Sequence, residues 1–345
     1  MVRVGIAGIG FMGMMHYLAL QQAAGITVTA VCSRSEKKLA GDWRDIKGNF
    51  GPRGVEMDLS HISRHREIEQ LLADPAVDVV DICLPPDLHR DVAVQALAAG
   101  KHVFCEKPMA LTAEECDEMV AAAQKAERQL LIGHVLPFFP EYQFAYQAML
   151  SGDYGKLLGG TFKRVISDPT WLADFYDPTK VGGPLIDLHV HDAHFIRLLF
   201  GMPTSLYSRG RMRGEVVEYC HTQFSFADPD VVVSAVSGVI MQQGRTFTHG
   251  FEIHFERATL QYESAVINDD AELLMPLTVF TAAGEAVRPD IVESDAFIAE
   301  MQEVEVSIES GRPSSLLGGE LARDAIVLCQ RQTDSVRAGR PLEVA

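Results

Sequence analysis

Residues 2–13 read Val-Arg-Val-Gly-Ile-Ala-Gly-Ile-Gly-Phe-Met-Gly, an apolar run that ends in a glycine-rich turn. In this Gly-x-Gly-x-x-Gly spacing, Gly8 permits a tight turn, Gly10 lets a pyrophosphate approach the backbone, and Gly13 allows a helix to pack closely on a strand. The helix that follows presents free N–H groups to the phosphates. The predicted dinucleotide contacts are Gly8, Ile9, Gly10, Phe11, Met12 and Gly13. The alternative is a glycine turn without a ligand.

From residue 1 to about 133, short apolar runs alternate with helical segments, which is typical of βαβ units and a parallel sheet. Thr112 and Glu115 form a capping box that opens one helix, and Gly100 stands where a helix should end. Residues 38–60 predict a loop with a short strand near Val55. The predicted strands are Val2–Ala7, Thr27–Cys32, Val77–Leu84, His102–Cys105 and Leu130–Gly133.

After about residue 150, longer alternating runs predict a mostly antiparallel sheet. The predicted strands are Leu157–Val165, Val216–Phe226, Val231–Gln242, Thr246–Phe255 and Ala258–Ser264. Helices are predicted at about Asp187–Phe200 and Ser294–Ser310, the second with an apolar stripe on one face. The fold class is therefore an α/β Rossmann domain in residues 1–133, followed by an α+β substrate-binding and oligomerisation domain with a large open sheet in residues 134–345. The open face of that sheet predicts a homo-oligomer, a dimer or tetramer.

Composition limits the possible functions. The chain has 345 residues, which suits two domains, and a formal net charge of −17, which opposes nucleic-acid binding because the basic residues do not cluster. No apolar run approaches the roughly 20 residues of a membrane span. Six cysteines are scattered without a Cys-x-x-Cys pair, as expected in a reducing compartment, so the cytoplasm is the predicted location.

The residue that would bind the cofactor ribose lies about 20 positions after the glycine turn, at the end of the second strand. That place reads Ser33-Arg34-Ser35-Glu36-Lys37-Lys38, without an acidic residue at Ser33. An Asp or Glu there would repel a 2′-phosphate, whereas Ser33 and Arg34 can donate hydrogen bonds to it. The segment, including Lys38, therefore favours NADP over NAD. A solvated loop in an enzyme that accepts either cofactor is the alternative.

Two further segments lie at the carboxyl edge of the predicted parallel sheet, where ligands bind in such folds. One strand ends with Leu84-Pro85-Pro86-Asp87-Leu88-His89, and the next ends with Cys105-Glu106-Lys107-Pro108. Lys107 would face the nicotinamide end of the cofactor and could donate to a substrate hydroxyl or carbonyl. The predicted cofactor contacts of these segments are Leu84, Pro85, His89, Glu106 and Lys107.

The chain resembles the Gfo/Idh/MocA family, named for glucose-fructose oxidoreductase, inositol dehydrogenase and a rhizopine catabolism protein. The motifs that carry the resemblance lie in order along nearly the whole sequence: the Gly8–Gly13 turn, Pro85 to His89, Glu106-Lys107-Pro108, Gly133-His134 with Phe138 to Tyr142, and Gly182-Gly183 through His194. The resemblance implies a Rossmann domain with an open-sheet domain, NAD or NADP as cofactor, and oxidation or reduction of a sugar or cyclitol carbon. It also implies that Lys107 contacts both substrate and cofactor.

The segment from Gly182 to His194 holds the densest cluster of reactive side chains. In a helix from about Leu185, Asp187 and His191 are separated by about 40° around the axis, and His194 lies about 20° to the other side of Asp187. Removing hydride from a carbinol requires the hydroxyl proton to leave, and imidazole is suited to accept it. The resemblance assigns this work to the matching Asp and His, so His191 is the predicted general acid/base and Asp187 its partner, with His134 and His194 as predicted substrate contacts.

Other interpretations remain open. His189, His191, Asp192 and His194 invite a metal site, but a helix would scatter them around its circumference, and no catalytic metal is predicted. The resemblance also permits a glycosidase that oxidises its substrate transiently with bound dinucleotide. A non-catalytic dinucleotide or sugar sensor would be expected to lack Lys107 or the histidine, and both are present.

Two positions depart from the family pattern. His194 stands where the family commonly has an aspartate, and Pro137 stands where many members have an arginine. Both changes affect the predicted substrate pocket. The sequence therefore predicts an NAD(P)-dependent oxidoreductase that acts on a sugar, cyclitol or keto-sugar without identifying the substrate.

Overall fold

The computed structural model describes residues 1–48, 50–268 and 270–344, in which the chain forms two compact units. Unit 1 comprises Met1–Ala110, Glu114–Phe138 and Ser294–Arg323, and unit 2 comprises Leu111–Ala113, Phe139–Glu293 and Asp324–Ala345. Each unit contains its own β-sheet. None of the helices in the described ranges combines the length and the hydrophobicity that a transmembrane segment requires.

The strands, numbered along the described chain, are β1 Val2–Ala7, β2 Ile26–Cys32, β3 Ser63–His65, β4 Val79–Ile82, β5 His102–Glu106, β6 Leu130–Gly133, β7 Leu157–Ser167, β8 Ser205–Arg213, β9 Val216–Ser225, β10 Val232–Ile240, β11 Arg245–Phe255, β12 Ala258–Ile267, β13 Asp270–Thr281, β14 Ala286–Val287 and β15 Leu342–Glu343. The α-helices are α1 Phe11–Leu20, α2 Glu36–Leu39, α3 Ile68–Ala73, α4 His89–Ala98, α5 Ala113–Ala126, α6 Pro140–Ser151, α7 Val190–Phe200, α8 Ala296–Ser310 and α9 Gly319–Ala338. A π-helical turn, Leu185–His189, directly precedes α7.

Unit 1 is built on a six-stranded parallel sheet with the strand order β3-β2-β1-β4-β5-β6. The predicted parallel sheet is therefore confirmed. All four residues of β4 are buried, which explains why this strand is continuously apolar except for Asp81. The strand order reverses direction between β1 and β4, and ligands of such sheets bind at the carboxyl ends of the strands beside that point.

The five strands predicted in the first part of the chain are all present, although β4 is shorter than the predicted run. The three-residue strand β3 escaped prediction because Ser63–His65 is short and polar. In residues 38–60 the predicted strand near Val55 is only an isolated bridge between Asp42 and Glu56. This stretch also includes Asn49, which lies outside the described residues. Gly100 has a φ of 78° and follows α4, as predicted for a residue that ends a helix.

The predicted stripe on α8 packs in unit 1. Of its four residues, Met301 and Val304 are buried in the same hydrophobic core as residues of α1, β1 and β2, and Phe297 and Ile308 pack against that core. The predicted domain boundary assigns residues 134–345 to the second domain, whereas Ser294–Arg323 belongs to unit 1. An apolar stripe shows that a helix is buried but not which core buries it. The separate functions predicted for the two domains stay predictions.

Unit 2 contains a nine-stranded sheet with the order β14-β13-β12-β11-β7-β10-β9-β8-β15. In the described chain, β7 and β10 pair in parallel and the other neighbours pair antiparallel, so the prediction of a mostly antiparallel sheet is confirmed. Strands β8 and β13 escaped prediction. The end of β8 is polar and exposed, and β13 contains Pro276 and pairs with β12 through register shifts.

A buried ion pair joins the sheet of unit 2 to α7. The Arg164 Nε donates to Asp192 Oδ2 at 2.7 Å and its Nη2 donates to Asp192 Oδ1 at 3.2 Å. The side chains of Arg164 and Asp192 are 6% and 1% exposed. Lys163, the preceding residue on β7, instead pairs with Glu263, and both of those side chains are about one-third exposed. The two pairs therefore differ mainly in their access to solvent.

Replacing Arg164 with methionine leaves the carboxylate of Asp192 buried without its cation, so we expect the free energy of unfolding to fall by about 3–5 kcal/mol. The control is Lys163→Met, which removes a pair that is about one-third exposed and should cost at most about 1 kcal/mol. Urea unfolding followed by circular dichroism measures both values. Equal losses in the two variants would show that burial does not decide the strength of these pairs.

Candidate active site

The glycine turn after β1 has three glycines with three different environments. Gly8 has a φ of 105°, and a Cβ at this position would lie 2.5 Å from the carbonyl oxygen of Cys83. At Gly13 a Cβ would lie 2.0 Å from the carbonyl oxygen of Gly8. At Gly10, by contrast, a Cβ would meet nothing within 4 Å. The turn is therefore closed on the strand side and open above Gly10, where the sequence predicts the pyrophosphate.

The start of α1 fits an anionic group. Gly10 is the N-cap and offers no side-chain cap, and the first turn of the helix carries no acidic residue. The Lys38 Nζ donates to the carbonyl oxygen of Ile9 at 2.5 Å, which places a cation at the turn. Free N–H groups at a helix start and a nearby ammonium both favour phosphate. The residues present thus fit the pyrophosphate of a dinucleotide, with Phe11 and Met12 partly exposed beside Gly10.

The predicted ribose site lies at the end of β2. The Ser33 N–H donates to the carbonyl oxygen of His65, and the Ser33 Oγ accepts from the Ser35 N–H at 3.2 Å. Ser35 caps α2 by accepting from the Lys38 N–H. Arg34 is exposed. The hydroxyl of Ser33 therefore helps to shape the turn, whereas Arg34, like Glu36 and Lys37, extends into solvent.

His89 joins the carboxyl ends of β4 and β5. Its Nε2 lies 2.8 Å from the carbonyl oxygen of Leu84, and its Nδ1 lies 2.8 Å from that of Pro108. Burial lowers the pKa of His89, whereas its hydrogen bonds to these two carbonyl oxygens act in the opposite direction. The Leu84 side chain also reaches within 3.1 Å of the Cβ position at Gly8. The structure thus brings the glycine turn, Leu84 and the Lys107 turn together, whereas Pro85 is exposed.

Glu106 and Lys107 face different surroundings although they are adjacent. The Glu106 carboxylate is buried, and its Oε2 accepts from the Lys107 N–H at 3.0 Å while its Oε1 lies 3.0 Å from His16 Nε2. Lys107 is partly exposed. The side chain of Glu106 is therefore engaged inside unit 1, and its predicted contact with the cofactor stays a prediction.

His134 follows β6 at the same edge of the sheet. Glu106 of β5 pairs with Gly133 of β6, so Lys107 and His134 are the next residues on neighbouring strands. The His134 N–H donates to the carbonyl oxygen of Ile132 at 2.7 Å, and the residue is fully buried. His134 therefore follows the strand next to that of Lys107 but is buried. Its role in substrate binding stays a prediction.

The predicted histidine helix of unit 2 begins with the π-helical turn Leu185–His189 and continues as α7. A π-helical turn holds more residues than an α-helical turn, so each residue rotates the chain by a smaller angle about the helix axis. The rotation from Asp187 to His191 is therefore closer to a full 360° than the roughly 400° of four residues in a regular α-helix. Asp187 and His191 are both partly exposed, whereas His194 is fully buried. Single π-turns in helices are frequent at functional sites.

His189 is directed into the core of unit 2, as the helical geometry predicts. Its Nε2 lies 3.0 Å from Gln332 Nε2, and the same amide nitrogen donates to Thr222 Oγ1 at 2.8 Å. Burial lowers the pKa of His189 to about 4, so the ring is neutral and its Nε2 accepts from Gln332. His189 is thus buried in contact with Gln332, whereas His191 is partly exposed.

Several residues that shape these sites were not predicted. Asp81 could have been noticed as the only acidic residue in the apolar run of β4, and His16 follows the glycine turn by one helical turn. Arg164 and Gln332 carry no local signal, because their partners lie far away in the sequence. Only the folded chain reveals such long-range pairs.

Comparison with known proteins identifies the family. Residues 2–134 match a family model described as an oxidoreductase family with an NAD-binding Rossmann fold, and residues 142–261 match the C-terminal domain of the same family. A solved levoglucosan dehydrogenase, in complex with NADH and levoglucosan, aligns over 99% of both chains with a TM-score of 0.80 and 20% identity. That likeness shows a shared fold.

Two curated relatives match at higher identity over part of the chain. A 1,5-anhydro-D-fructose reductase of Ensifer adhaerens is 31% identical over 205 residues, which cover 56% of this chain and 59% of that protein. A myo-inositol 2-dehydrogenase of Thermotoga maritima is 28% identical over 203 residues, covering 58% of this chain and 56% of that protein. The chain thus spans little more than half the length of these relatives. With both family models matched in order, the chain belongs to the Gfo/Idh/MocA oxidoreductase family.

Proposed function

We propose that the protein is an oxidoreductase that transfers a hydride between a nicotinamide dinucleotide and a carbon of a sugar, cyclitol or keto-sugar. The observation that carries this proposal is the meeting of the glycine turn and the Lys107 turn at one edge of the parallel sheet in unit 1. A dinucleotide whose pyrophosphate lies above Gly10 would extend along this edge. Family membership supports the same reaction class.

The nicotinamide ring, when bound, supplies the hydride acceptor or donor. The residues of the chain then have to move the hydroxyl proton and orient the substrate. We assign the proton to His191, because an imidazole titrates near neutral pH and this ring is partly exposed on the helix. Asp187, on the same helical face, orients that ring or binds a neighbouring substrate hydroxyl. Lys107 donates from its ammonium group to the oxygen on the reacting carbon.

The proposed substrates are polyhydroxylated rings or their keto derivatives. Support comes from the relatives, whose names describe a reductase of 1,5-anhydro-D-fructose and a dehydrogenase of myo-inositol. We retain His134 and His194 as proposed substrate-site residues, although both are buried, so each would act from beneath the surface of its unit. A histidine in place of the family's usual aspartate at position 194 makes this pocket less acidic.

We propose a preference for NADP over NAD. The support is the absence of an acidic side chain at Ser33 and the exposed guanidinium of Arg34 directly after β2. An aspartate or glutamate at the end of β2 would repel a 2′-phosphate, whereas a guanidinium can bind it with two hydrogen bonds. Lys38 at the turn adds a second cation.

We also propose a homo-oligomer that forms through the sheet of unit 2. The face of that sheet opposite Arg164 carries the partly exposed Lys163–Glu263 pair, and Val232 on β10 is 61% exposed. An exposed sheet face of this kind is commonly covered by a partner subunit.

The six cysteines are all free, which agrees with the proposed location in the reducing cytoplasm.

Gly10→Ala tests the dinucleotide site. The added methyl group enters open space, so the fold should tolerate it, but it occupies the position of the proposed pyrophosphate. We expect the affinity for NADPH, measured by the change in its fluorescence, to fall by at least about tenfold, equivalent to about 1.4 kcal/mol. Gly244→Ala is the control, because a Cβ there meets its nearest atom only at 3.9 Å in unit 2. An unchanged affinity in the Gly10 variant would exclude the proposed pyrophosphate position.

Arg34→Asp tests the cofactor preference. The substitution replaces a donor with an anion where the 2′-phosphate is proposed to lie, so the NADP-to-NAD ratio of kcat/KM should fall by about tenfold or more. The control is Arg312→Asp, which makes the same change of charge at an exposed position of unit 1. If both variants keep the wild-type ratio, Arg34 does not read the 2′-phosphate.

The reaction itself is tested by absorbance of the reduced cofactor with a panel of sugars, inositols and keto-sugars, using NAD and NADP in parallel. On an accepted substrate, His191→Asn should lower kcat by about 10²- to 10⁴-fold, because the proton acceptor is lost. Lys107→Met should also lower kcat, since the oxygen loses its donor. The controls are His254→Asn and Lys125→Met, which change one residue of the same type in each unit. Wild-type rates in the His191 and Lys107 variants would refute the assigned roles.

A further inference from the structure

Four titratable side chains meet inside unit 1, beneath the Lys107 turn. They come from four different elements, and their exposures are 6% or less: His16 on α1, Asp81 on β4, Glu106 on β5 and Glu300 on α8. Buried charged groups of this kind are rare unless they are paired. The proposed reaction uses none of these side chains directly, so the cluster needs another explanation.

The imidazole of His16 spans two carboxylates. Its Nδ1 lies 3.0 Å from Asp81 Oδ2 and 3.1 Å from Asp81 Oδ1, and its Nε2 lies 3.0 Å from Glu106 Oε1. The ring stacks on Phe104 with a centroid distance of 5.3 Å, which fixes its plane. The Cys83 Sγ lies 3.3 Å from Nδ1. Both ring nitrogens therefore have acceptors, as an imidazolium requires.

The protonation states agree with this geometry. Burial by itself would lower the pKa of His16, but the carboxylate of Asp81 and its hydrogen bond raise that pKa well above the ordinary value. Burial, and then the charge of Glu106, raise the pKa of Glu300 well above the ordinary value. Neither carboxyl oxygen of Glu300 has a hydrogen-bond partner among the residues that the structure describes. The directions of these two shifts favour a protonated His16 ring between the two carboxyl groups and a protonated Glu300.

The network connects the glycine turn to Lys107 through few atoms. His16 lies on α1, three residues after Gly13, and therefore moves with the helix that begins in the glycine turn. The Oε1 of Glu106 lies 3.0 Å from His16 Nε2, and its Oε2 accepts a hydrogen bond from the backbone N–H of Lys107. Pro108, the next residue, has no N–H to offer. The Lys107 amide is thus the last donor of the turn, and the Glu106 carboxylate fixes it.

We propose that His16 is a positioning residue, which holds the Glu106 carboxylate against the Lys107 amide and so sets the place of the Lys107 side chain relative to the glycine turn. This inference rests on the proposed function, because the role of Lys107 does. The bond between His16 Nε2 and Glu106 carries the effect, and the bond between His16 Nδ1 and Asp81 anchors the ring. Loss of the bond to Glu106 should therefore displace the Lys107 side chain more than loss of the bond to Asp81.

Two substitutions separate the two bonds. In His16→Gln the amide nitrogen takes the place of Nε2 and keeps the bond to Glu106, whereas in His16→Asn it takes the place of Nδ1 and keeps the bond to Asp81. Both variants lose the positive charge and most of the ring, so a purely structural role would weaken them alike. The control is His102→Asn, which changes a histidine on β5, the strand of Glu106, at the end opposite to Glu106.

The first measurement needs neither turnover nor cofactor. The rate at which a small acylating reagent modifies Lys107 is followed by peptide mass spectrometry in wild type and in each variant. We expect His16→Asn to label Lys107 faster, because the released turn opens locally, while His16→Gln and His102→Asn keep the wild-type rate. Equal labelling of Lys107 in both His16 variants would overturn the inference.

The second measurement is steady-state kinetics on an accepted substrate. We expect kcat to fall by about 10- to 100-fold in His16→Asn but by no more than about threefold in His16→Gln, with KM for the dinucleotide within about threefold of wild type in both. If the two His16 variants lose kcat equally while the wild type turns over normally, the positioning role is refuted and the proposed function is not. A wild type that binds no dinucleotide would refute the proposed function, and the labelling result would still decide whether His16 holds Lys107.

A metal ion is the competing explanation for the cluster. Among the described residues, His16, Asp81 and Cys83 each offer one ligand atom, and these atoms lie within 4.8 Å of one another. Both ring nitrogens of His16 instead lie at hydrogen-bond distance, 3.0 Å, from carboxyl oxygens of Asp81 and Glu106. Elemental analysis of the purified protein should therefore show no stoichiometric metal that is lost in His16→Gln. Finding such a metal would overturn the positioning role in favour of a metal centre.

Discussion

The close approach of Gly13 to the carbonyl oxygen of Gly8 is the constraint on which unit 1 depends. A methyl group at Gly13 would lie 2.0 Å from that oxygen, so only glycine lets α1 lie against the end of β1. In this position the start of α1 faces the open space above Gly10. One turn further along, the same helix carries His16 to Asp81 and Glu106. The absence of a side chain at Gly13 thus bears on both the proposed phosphate site and the buried cluster around His16.

Much of unit 1 could be predicted because its signals are local. The Gly8–Gly13 turn and the strands Val2–Ala7 and Leu130–Gly133 are visible in short stretches of sequence. The structure departs from prediction where distant contacts decide. Pro276 makes β13 hard to recognise as a strand, and β13 pairs with β12 through shifts in register. The apolar stripe of α8 does not show in which core the helix is buried. The π-turn before α7 is likewise invisible to a reading based on a regular helix.

The two units share one arrangement around their proposed reactive residues. In unit 1 the buried carboxylate of Glu106 directly precedes Lys107, and in unit 2 the buried carboxylate of Asp192 directly follows His191. Each carboxylate is held by a buried cation from another element, His16 or Arg164. Ion pairs without access to water keep a fixed geometry because their charges have no alternative partners. Each proposed reactive residue therefore lies next to a side chain that is bound to another element of its unit. Long-range pairing of this kind cannot be recognised from the neighbouring sequence.

The packing of α8 in unit 1 has a consequence for how the chain acquires its structure during synthesis. Met301 and Val304 belong to a core whose other members include residues of β1, β2 and α1, which are made long before α8. Until the ribosome has made residues beyond 300, that apolar surface has no cover from its own chain. The nascent segment that precedes α8 is therefore a candidate client for chaperones that bind exposed apolar surface, and this core is completed only after α8 has been made.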